Sequence, residues 1–184
     1  MGKSAVDRFL NLIEQHKLFQ FERMATKKED IEEHWDLIVS HPTTSPFPWI
    51  EEGHAKTLYR TEVKSMKRVR RGDSAPTDET IVIEIRGVQP QKKEIVNHGW
   101  LWGKADIFAF EMNDGFWLIE SQKLRKVIIE LGELYKIDFT AHPDLGKGKK
   151  LYKLYGRFGR GDKFIYVRKE DLLKTAPYIL GENS

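Results

Sequence analysis

Apolar residues near the start of the chain recur with helical spacing. Four of them follow the order i, i+3, i+4, i+7, and they are Val6, Phe9, Leu10 and Ile13. This period predicts a helix over residues 4–17. A serine followed three residues later by an acid (Ser4, Asp7) predicts a capping box at its start.

The same capping pattern recurs at Thr26 and Glu29. It predicts a second, shorter helix that ends near His34. The Leu-Ile-Val run that follows favours a strand over residues 35–40, because β-branched and apolar residues are enriched in strands.

The middle of the chain changes to the two-residue period of β-strands. Alternating side chains predict strands over residues 57–64 and 80–86. Two more apolar runs, residues 105–111 and 116–120, are joined by Asn-Asp-Gly, which is a strong hairpin signal.

Helical spacing returns over residues 122–131, between Ser121 as the expected N-cap and Gly132 as the expected stop. Two tyrosine-rich strands are predicted over residues 150–157 and 163–168, and we expect them to form a second hairpin. A helix over residues 169–174 follows.

This order of elements predicts an α/β fold in which helices flank a mixed central β-sheet. The length of 184 residues favours one domain. Within it we expect an N-terminal helical segment (1–34), a core (35–132), and a C-terminal basic hairpin and helix (143–180).

Composition narrows the class of protein. Hydrophobic residues make up 40% of the chain and aromatic residues 11%, which is enough for a core and excludes a disordered chain. The absence of cysteine excludes disulfides, thiolate metal sites and cysteine nucleophiles. Without a signal peptide or an apolar run of about 18 residues, we expect a soluble cytoplasmic protein with no membrane partner.

The net charge gives no information about a binding partner, whereas the distribution of charge along the chain does. The net charge is +3, from 31 basic and 28 acidic residues. Cations cluster after the predicted strand 57–64 and again, between aromatic residues, over 147–169, which suits a phosphate-bearing partner. The residues expected to contact nucleic acid are Lys67, Arg68, Arg70, Arg71, Lys149, Lys150, Lys153, Arg157 and Arg160.

Charged residues on predicted strands form the best candidate for a chemical site. Glu62 and Lys64 are two residues apart, so their side chains share one face of a strand. With Asp36 as a second acid and the carbonyl of Val63, this face would offer oxygen ligands to a divalent cation. Mg²⁺ prefers one or two carboxylates together with water and phosphate oxygens.

Several alternatives stay open in the sequence. Glu51 or Glu52 could supply the second acid in place of Asp36. Glu84 lies in the middle of the next predicted strand, where it could reach the metal or pair with an arginine. One of the acids in residues 29–33 could line the same cleft, although a solvated acidic face is the simpler interpretation.

A rival site consists of Asp106 followed by Glu120 and Gln122, which also places an acid on one strand and an acid-x-Gln motif after the next. Against it, Gln122 falls within the predicted helix rather than on a strand.

Glu62-Val63-Lys64 downstream of Asp36 resembles the PD-(D/E)XK nuclease superfamily, which has the restriction-endonuclease-like fold. The resemblance spans roughly residues 26–175, and it is closest to small phage-associated nucleases of that superfamily. The stretches that carry it are 28–36, 62–68, 83–86 and 99–110. The chain departs from the pattern at Trp35, where a proline often precedes the aspartate, and in the long separation between Asp36 and Glu62, which makes residues 41–56 an insertion between paired strands.

The resemblance implies a Mg²⁺- or Mn²⁺-dependent nuclease that hydrolyses phosphodiester bonds in DNA, as an endonuclease rather than an exonuclease. It assigns metal binding to Asp36 and Glu62 and the catalytic lysine to Lys64. It also implies a phage origin, and hence action in the host cytoplasm. RNA as substrate, a homodimeric assembly, and a non-catalytic nucleic-acid-binding or interaction module on the same fold stay open.

Overall fold

The computed structural model describes residues 4–17, 19–41, 58–66, 78–86, 99–145 and 150–181. The helices are α1 (Ala5–His16), α2 (Lys27–Glu33), α3 (Ser121–Leu134) and α4 (Lys169–Leu172), with 3-10 turns at Trp100–Trp102 and Leu173–Thr175. The strands are β1 (Gln20–Met24), β2 (Leu37–Ser40), β3 (Leu58–Lys64), β4 (Thr80–Arg86), β5 (Ile107–Met112), β6 (Gly115–Glu120), β7 (Lys163–Arg168) and β8 (Tyr178–Gly181). None of the described helices is long and apolar enough to cross a bilayer.

The larger sheet has six strands in the order β1-β2-β3-β5-β6-β8. Among these strands β3 and β5 run parallel, and the other neighbours are antiparallel. A second sheet pairs β4 with β7. The predicted α/β class with a mixed central sheet and flanking helices is therefore confirmed.

Both predicted capping boxes are present. The Ser4 side chain accepts from the backbone N–H of Asp7, whose carboxylate accepts in return from the backbone N–H of Ser4. Thr26 and Glu29 make the same reciprocal pair at the start of α2. Each box satisfies donors that the first helical turn leaves without a partner inside the helix.

The chain divides into two compact units. The first comprises Met1–Ser65, Lys104–Glu120 and Pro177–Ser184, and it contains the six-stranded sheet. Its core forms where α1 packs on one face of this sheet through Phe9, Leu12 and Ile13. Phe9 meets Phe116 of β6 edge to face at 5.3 Å, an arrangement that aromatic rings favour.

The second unit comprises Met66–Gly103 and Ser121–Ala176. The isoleucines of β4, at positions 81, 83 and 85, are buried on one face as the alternation predicts. Gly99 donates its backbone N–H to the carbonyl of Ile85, and a Cβ at position 99 would lie 2.4 Å from the Glu84 carbonyl oxygen. This close approach of two backbones explains the glycine.

The predicted C-terminal hairpin is wrong. Residues 150–157 contain a turn at 151–152 and two isolated bridges, from Tyr155 to Asp144 and to Phe164, and the ladder partner of β7 is β4. The reason lies in the local backbone, because Tyr152 takes a positive φ of 56° and the Tyr155 hydroxyl accepts from the N–H of Lys150. Both features bend the chain away from an extended strand.

Three further details differ from the sequence prediction. Strand β1 has no buried residue, and β8 belongs to the edge of the six-stranded sheet; the sequence pattern revealed neither. Helix α3 continues past Gly132, where a Cβ would come within 2.7 Å of the Phe139 ring. Gly132 therefore makes room for an aromatic neighbour instead of ending the helix.

Lys163, which belongs to the basic stretch, is buried. Its ammonium donates to the carbonyls of Phe139, Thr140 and Ala141 at 3.2, 2.9 and 2.6 Å. It therefore ties β7 to the turn after α3 rather than facing a partner.

We expect Lys163→Met to lower the free energy of unfolding by about 2 kcal/mol, because charge-assisted hydrogen bonds to three carbonyls are lost. Urea denaturation followed by tryptophan fluorescence measures this change. Lys126→Met, at an exposed lysine of α3, should stay within about 0.5 kcal/mol of the wild type. Equal stability of the two variants would contradict a structural role for Lys163.

Candidate metal centre

Glu62 is a buried carboxylate in the middle of the six-stranded sheet. It lies on β3 with 4% of its surface exposed. The parallel register pairs Glu62 with Phe108 and Lys64 with Phe110, so two buried aromatic residues of β5 lie beside the acid and the lysine. A carboxylate in such surroundings is costly unless it is paired.

Only one oxygen of Glu62 is paired. Lys64, two residues along the same face, donates its ammonium to Oε1. Oε2 is buried and receives no hydrogen bond from any described residue. Buried polar atoms nearly always have a partner, so this oxygen points to a ligand of positive charge or to a proton donor.

Asp36 is hydrogen-bonded to the residues of β3 on either side of Glu62. It immediately precedes β2, its backbone N–H donates to the carbonyl of Thr61 at 2.9 Å, and its Oδ2 accepts from the N–H of Val63 at 2.7 Å. Its other oxygen, Oδ1, has no hydrogen bond to a described residue. The antiparallel pairing of β2 with β3, predicted from the sequence, thus brings Asp36 to Glu62.

Both carboxyl groups have raised pKa values. Burial raises the pKa of Glu62 to about 7, the Lys64 ammonium opposes the rise, and the charge of Asp36 adds to it. Burial also raises the pKa of Asp36, against the effect of its hydrogen bond from Val63. Acids with perturbed pKa values are enriched at functional sites.

These residues fit a hard divalent cation. Glu62 Oε2 and Asp36 Oδ1 accept no hydrogen bond from a described residue, and a bound cation would offset the charge of Asp36 that raises the pKa of Glu62. Within the described part of the chain, no three His, Asp or Glu side chains are grouped closely enough to form a metal site by themselves. Two carboxylates are nevertheless what Mg²⁺ uses when water and substrate phosphate complete its shell.

Asp30 is the acid on α2 that faces this centre. Glu29 pairs with Arg23, Glu32 with Lys28, and Glu33 with Lys104. Asp30 forms no ion pair with a described residue, and its charge raises the pKa of both Asp36 and Glu62. The sequence indicated that one acid of this helix could line the cleft, but helical spacing alone did not single out Asp30.

The rival site at Asp106 is an ion pair. The guanidinium of Arg60 donates to both carboxylate oxygens of Asp106, at 3.1 and 3.2 Å, and the backbone N–H of Arg60 donates at 2.9 Å. Gln122 lies in the first turn of α3, as the sequence predicted. Asp106 is thus bound on both oxygens, which leaves it poorly suited to a metal.

The remaining predicted site residues differ in their place in the chain. Glu84 lies on β4, which pairs with β7 and has no place beside β3 in the six-stranded sheet. The alternative acids Glu51 and Glu52 lie outside the described residues. Val63 takes part through its backbone N–H to Asp36, and its side chain packs in the core.

The basic residues predicted to contact nucleic acid lie partly within and partly outside the described residues. Lys67, Arg68, Arg70, Arg71 and Lys149 lie outside the described residues. Among the others, Lys153 pairs with Asp144 and Arg157 with the buried Asp162, whereas Lys150 and Arg160 are exposed and form no ion pair with a described residue. The charge free to meet a partner is therefore smaller than the composition of residues 147–169 indicates.

No protein-family model matches this chain, and no curated protein or solved structure matches it either.

Proposed function

We propose that this protein is a Mg²⁺- or Mn²⁺-dependent nuclease that hydrolyses phosphodiester bonds in DNA. The observation that carries the proposal is the Glu62 carboxylate, which is buried beside Asp36 and Lys64 and has one oxygen that accepts no hydrogen bond from a described residue. The sequence resemblance to PD-(D/E)XK nucleases supports the same assignment, because the matching Asp36 lies immediately before β2 and is hydrogen-bonded to β3, the strand that carries Glu62 and Lys64.

In this proposal each residue has a separate task. Asp36 and Glu62 would hold the cation, and the backbone N–H of Val63 orients the Asp36 carboxylate. When bound, the cation supplies positive charge to the scissile phosphate and lowers the pKa of a nearby water. Lys64 has 24% of its side chain exposed, so its ammonium can reach both Glu62 and an attacking water.

Buried aromatic residues strengthen the electrostatic interactions within this site. Phe108 and Phe110 lie beside the acid and the lysine in register, which lowers the local dielectric around them. Electrostatic interactions are stronger in such surroundings than in water. Charge held by Lys64 therefore acts on the reacting phosphate with less screening than a surface lysine would provide.

The test is a cleavage assay with labelled linear, circular, branched and single-stranded DNA and with RNA of the same sequence. We expect cleavage only with Mg²⁺ or Mn²⁺, and we expect Glu62→Gln to abolish it while Glu32→Gln, at an exposed glutamate of α2, leaves it unchanged. Cleavage that survives both Glu62→Gln and Lys64→Ala would overturn the site. Binding without cleavage under every cation condition would favour the non-catalytic module instead.

A further inference from the structure

Phe158 is the most exposed large apolar side chain among the described residues, at 90%. The other exposed large apolar side chains among the described residues are between 43% and 66% exposed. Scattered apolar residues on a surface need no explanation, but they usually bury part of their area against neighbours. An almost fully solvated phenyl ring is therefore unusual, and its setting decides what it can bind.

The turn that carries Phe158 is firmly anchored. The backbone N–H of Arg160 donates to the carbonyl of Arg157 at 3.0 Å, and Gly159 takes a φ of +70°. Asp162, only 1% exposed, accepts from both the backbone N–H and the guanidinium of Arg157. Below the tip, Tyr155 and Phe164 exchange backbone hydrogen bonds of 2.8 and 2.9 Å.

The charges around the ring are cationic. Arg157 and Arg160 occupy the two corners of the turn, and both are exposed. The described residues 150–161 contain no acid; the buried Asp162 binds the Arg157 guanidinium, but the Arg157 side chain stays 55% exposed, and Arg160 forms no ion pair with a described residue. An exposed aromatic residue with an arginine on each side in the turn matches a nucleotide, in which a flat base lies between two phosphates. A protein partner would have no such regular need for positive charge on both sides of the ring.

We propose that Phe158 stacks on an unpaired nucleobase while Arg157 and Arg160 contact the flanking phosphates. Stacking requires a base face that a paired duplex hides, so this turn favours single-stranded or locally unpaired nucleic acid over continuous duplex. The inference rests on the proposed function for the identity of the partner as nucleic acid, and it adds which structural state of that partner is bound. It does not depend on cleavage.

Binding of a single-stranded oligonucleotide that carries 2-aminopurine, measured in EDTA so that no cleavage occurs, tests this proposal. We expect Phe158→Ala to weaken single-strand binding about tenfold and duplex binding by less than about twofold. Phe158→Trp should restore the affinity and the quenching of 2-aminopurine. Leu173→Ala, at an exposed leucine of the same unit, is the matched control and should change neither.

The outcomes separate this inference from the nuclease proposal. Phe158-dependent single-strand binding by a protein that cleaves nothing would support the stacking role and overturn the nuclease. Cleavage by the wild type, together with unchanged single-strand binding by Phe158→Ala, would support the nuclease and overturn the stacking role. Equal loss on single strands and duplexes, or no binding of either by the wild type, would overturn the stacking role.

Discussion

Replacing Lys64 with alanine is expected to lower the rate of phosphodiester cleavage by about 10²–10⁴-fold, the range found for a lost proton-transfer or water-positioning group. Lys64 is the basic residue that touches Glu62, and its side chain is one-quarter exposed. Alanine removes both the group that would hold the attacking water and the charge that opposes the raised pKa of Glu62.

These two effects can be separated. Without Lys64, the pKa of Glu62 rises further, so part of the lost activity at neutral pH would reflect a protonated, metal-free carboxyl. Lys64→Arg keeps the positive charge but places it on a planar, permanently protonated group, so it should preserve Mg²⁺ binding and still lose cleavage. Single-turnover rates measured between pH 6.5 and about 9, a range that spans the titration of Glu62 near 7, distinguish the two contributions.

A lysine of the same unit serves as the control. Lys104 also pairs with a glutamate, at 2.9 Å from Glu33, but it is largely exposed. Lys104→Ala should change the cleavage rate by less than about threefold, since exposed ion pairs contribute little. A comparable loss in Lys104→Ala and Lys64→Ala would mean that the effect is general and would remove Lys64 from the mechanism.

Glu62→Gln is expected to make the protein more stable at pH 8 in the absence of divalent cations, although it abolishes cleavage. Folding raises the pKa of Glu62 from its ordinary 4.5 to about 7, so the native state binds a proton that the unfolded chain has released. The free energy of unfolding therefore falls as the pH rises from 4.5 to about 7 and is level above that range. A pKa difference of this size costs about 3 kcal/mol.

Glutamine removes that cost, but its buried amide lacks a full set of partners. The net gain at pH 8 should be about 1–2 kcal/mol, and the pH dependence between 5 and about 7 should flatten. Urea unfolding curves over this pH range measure both. Adding Mg²⁺ at pH 8 should then raise the stability of the wild type and leave Glu62→Gln unchanged, because a ligand stabilises only the state that binds it.

Glu111 provides a matched comparison, since it is a second buried glutamate of the same sheet. Its carboxylate pairs with Arg8, so glutamine replaces the charged acceptor of this guanidinium with a neutral one. Glu111→Gln should therefore lose stability at pH 8. A gain in Glu111→Gln similar to that in Glu62→Gln, or a wild-type stability that rises between pH 5 and 7, would contradict the assignment of a cation-binding carboxylate to Glu62.

Local features of the chain were predicted well because short-range chemistry decides them. The capping boxes at Ser4 and Thr26 formed as expected, since both partners lie within one helical turn. The hairpin between β5 and β6 follows from Asn113 and Asp114 ahead of Gly115, whose φ is +137°. The pair Glu62 and Lys64 could be placed on one face, because side chains two residues apart on a strand point the same way.

Features that depend on distant neighbours were missed. Strand β1 is exposed along its whole length, so no apolar alternation marks it, and pairing with β2 decides its structure. The segment 150–157 is rich in tyrosine, which favoured a strand, but the positive φ of Tyr152 interrupts an extended backbone. Lys163 lies in a basic stretch typical of a surface, but its ammonium is buried and donates to three backbone carbonyls.

The sequence by itself determined the α/β class, the helix starts, and the combination of an acid and a lysine on one strand face. A near-neutral net charge of +3 showed nothing about the site. Tertiary structure decided which acids lie close together. The pairing of β2 with β3 places Asp36 beside Glu62, and Arg60 binds Asp106. Among the acids of α2, Asp30 alone forms no ion pair with a described residue. The physical reason is that burial and the approach of a second charge change a carboxylate's chemistry, and both depend on residues far away in the chain.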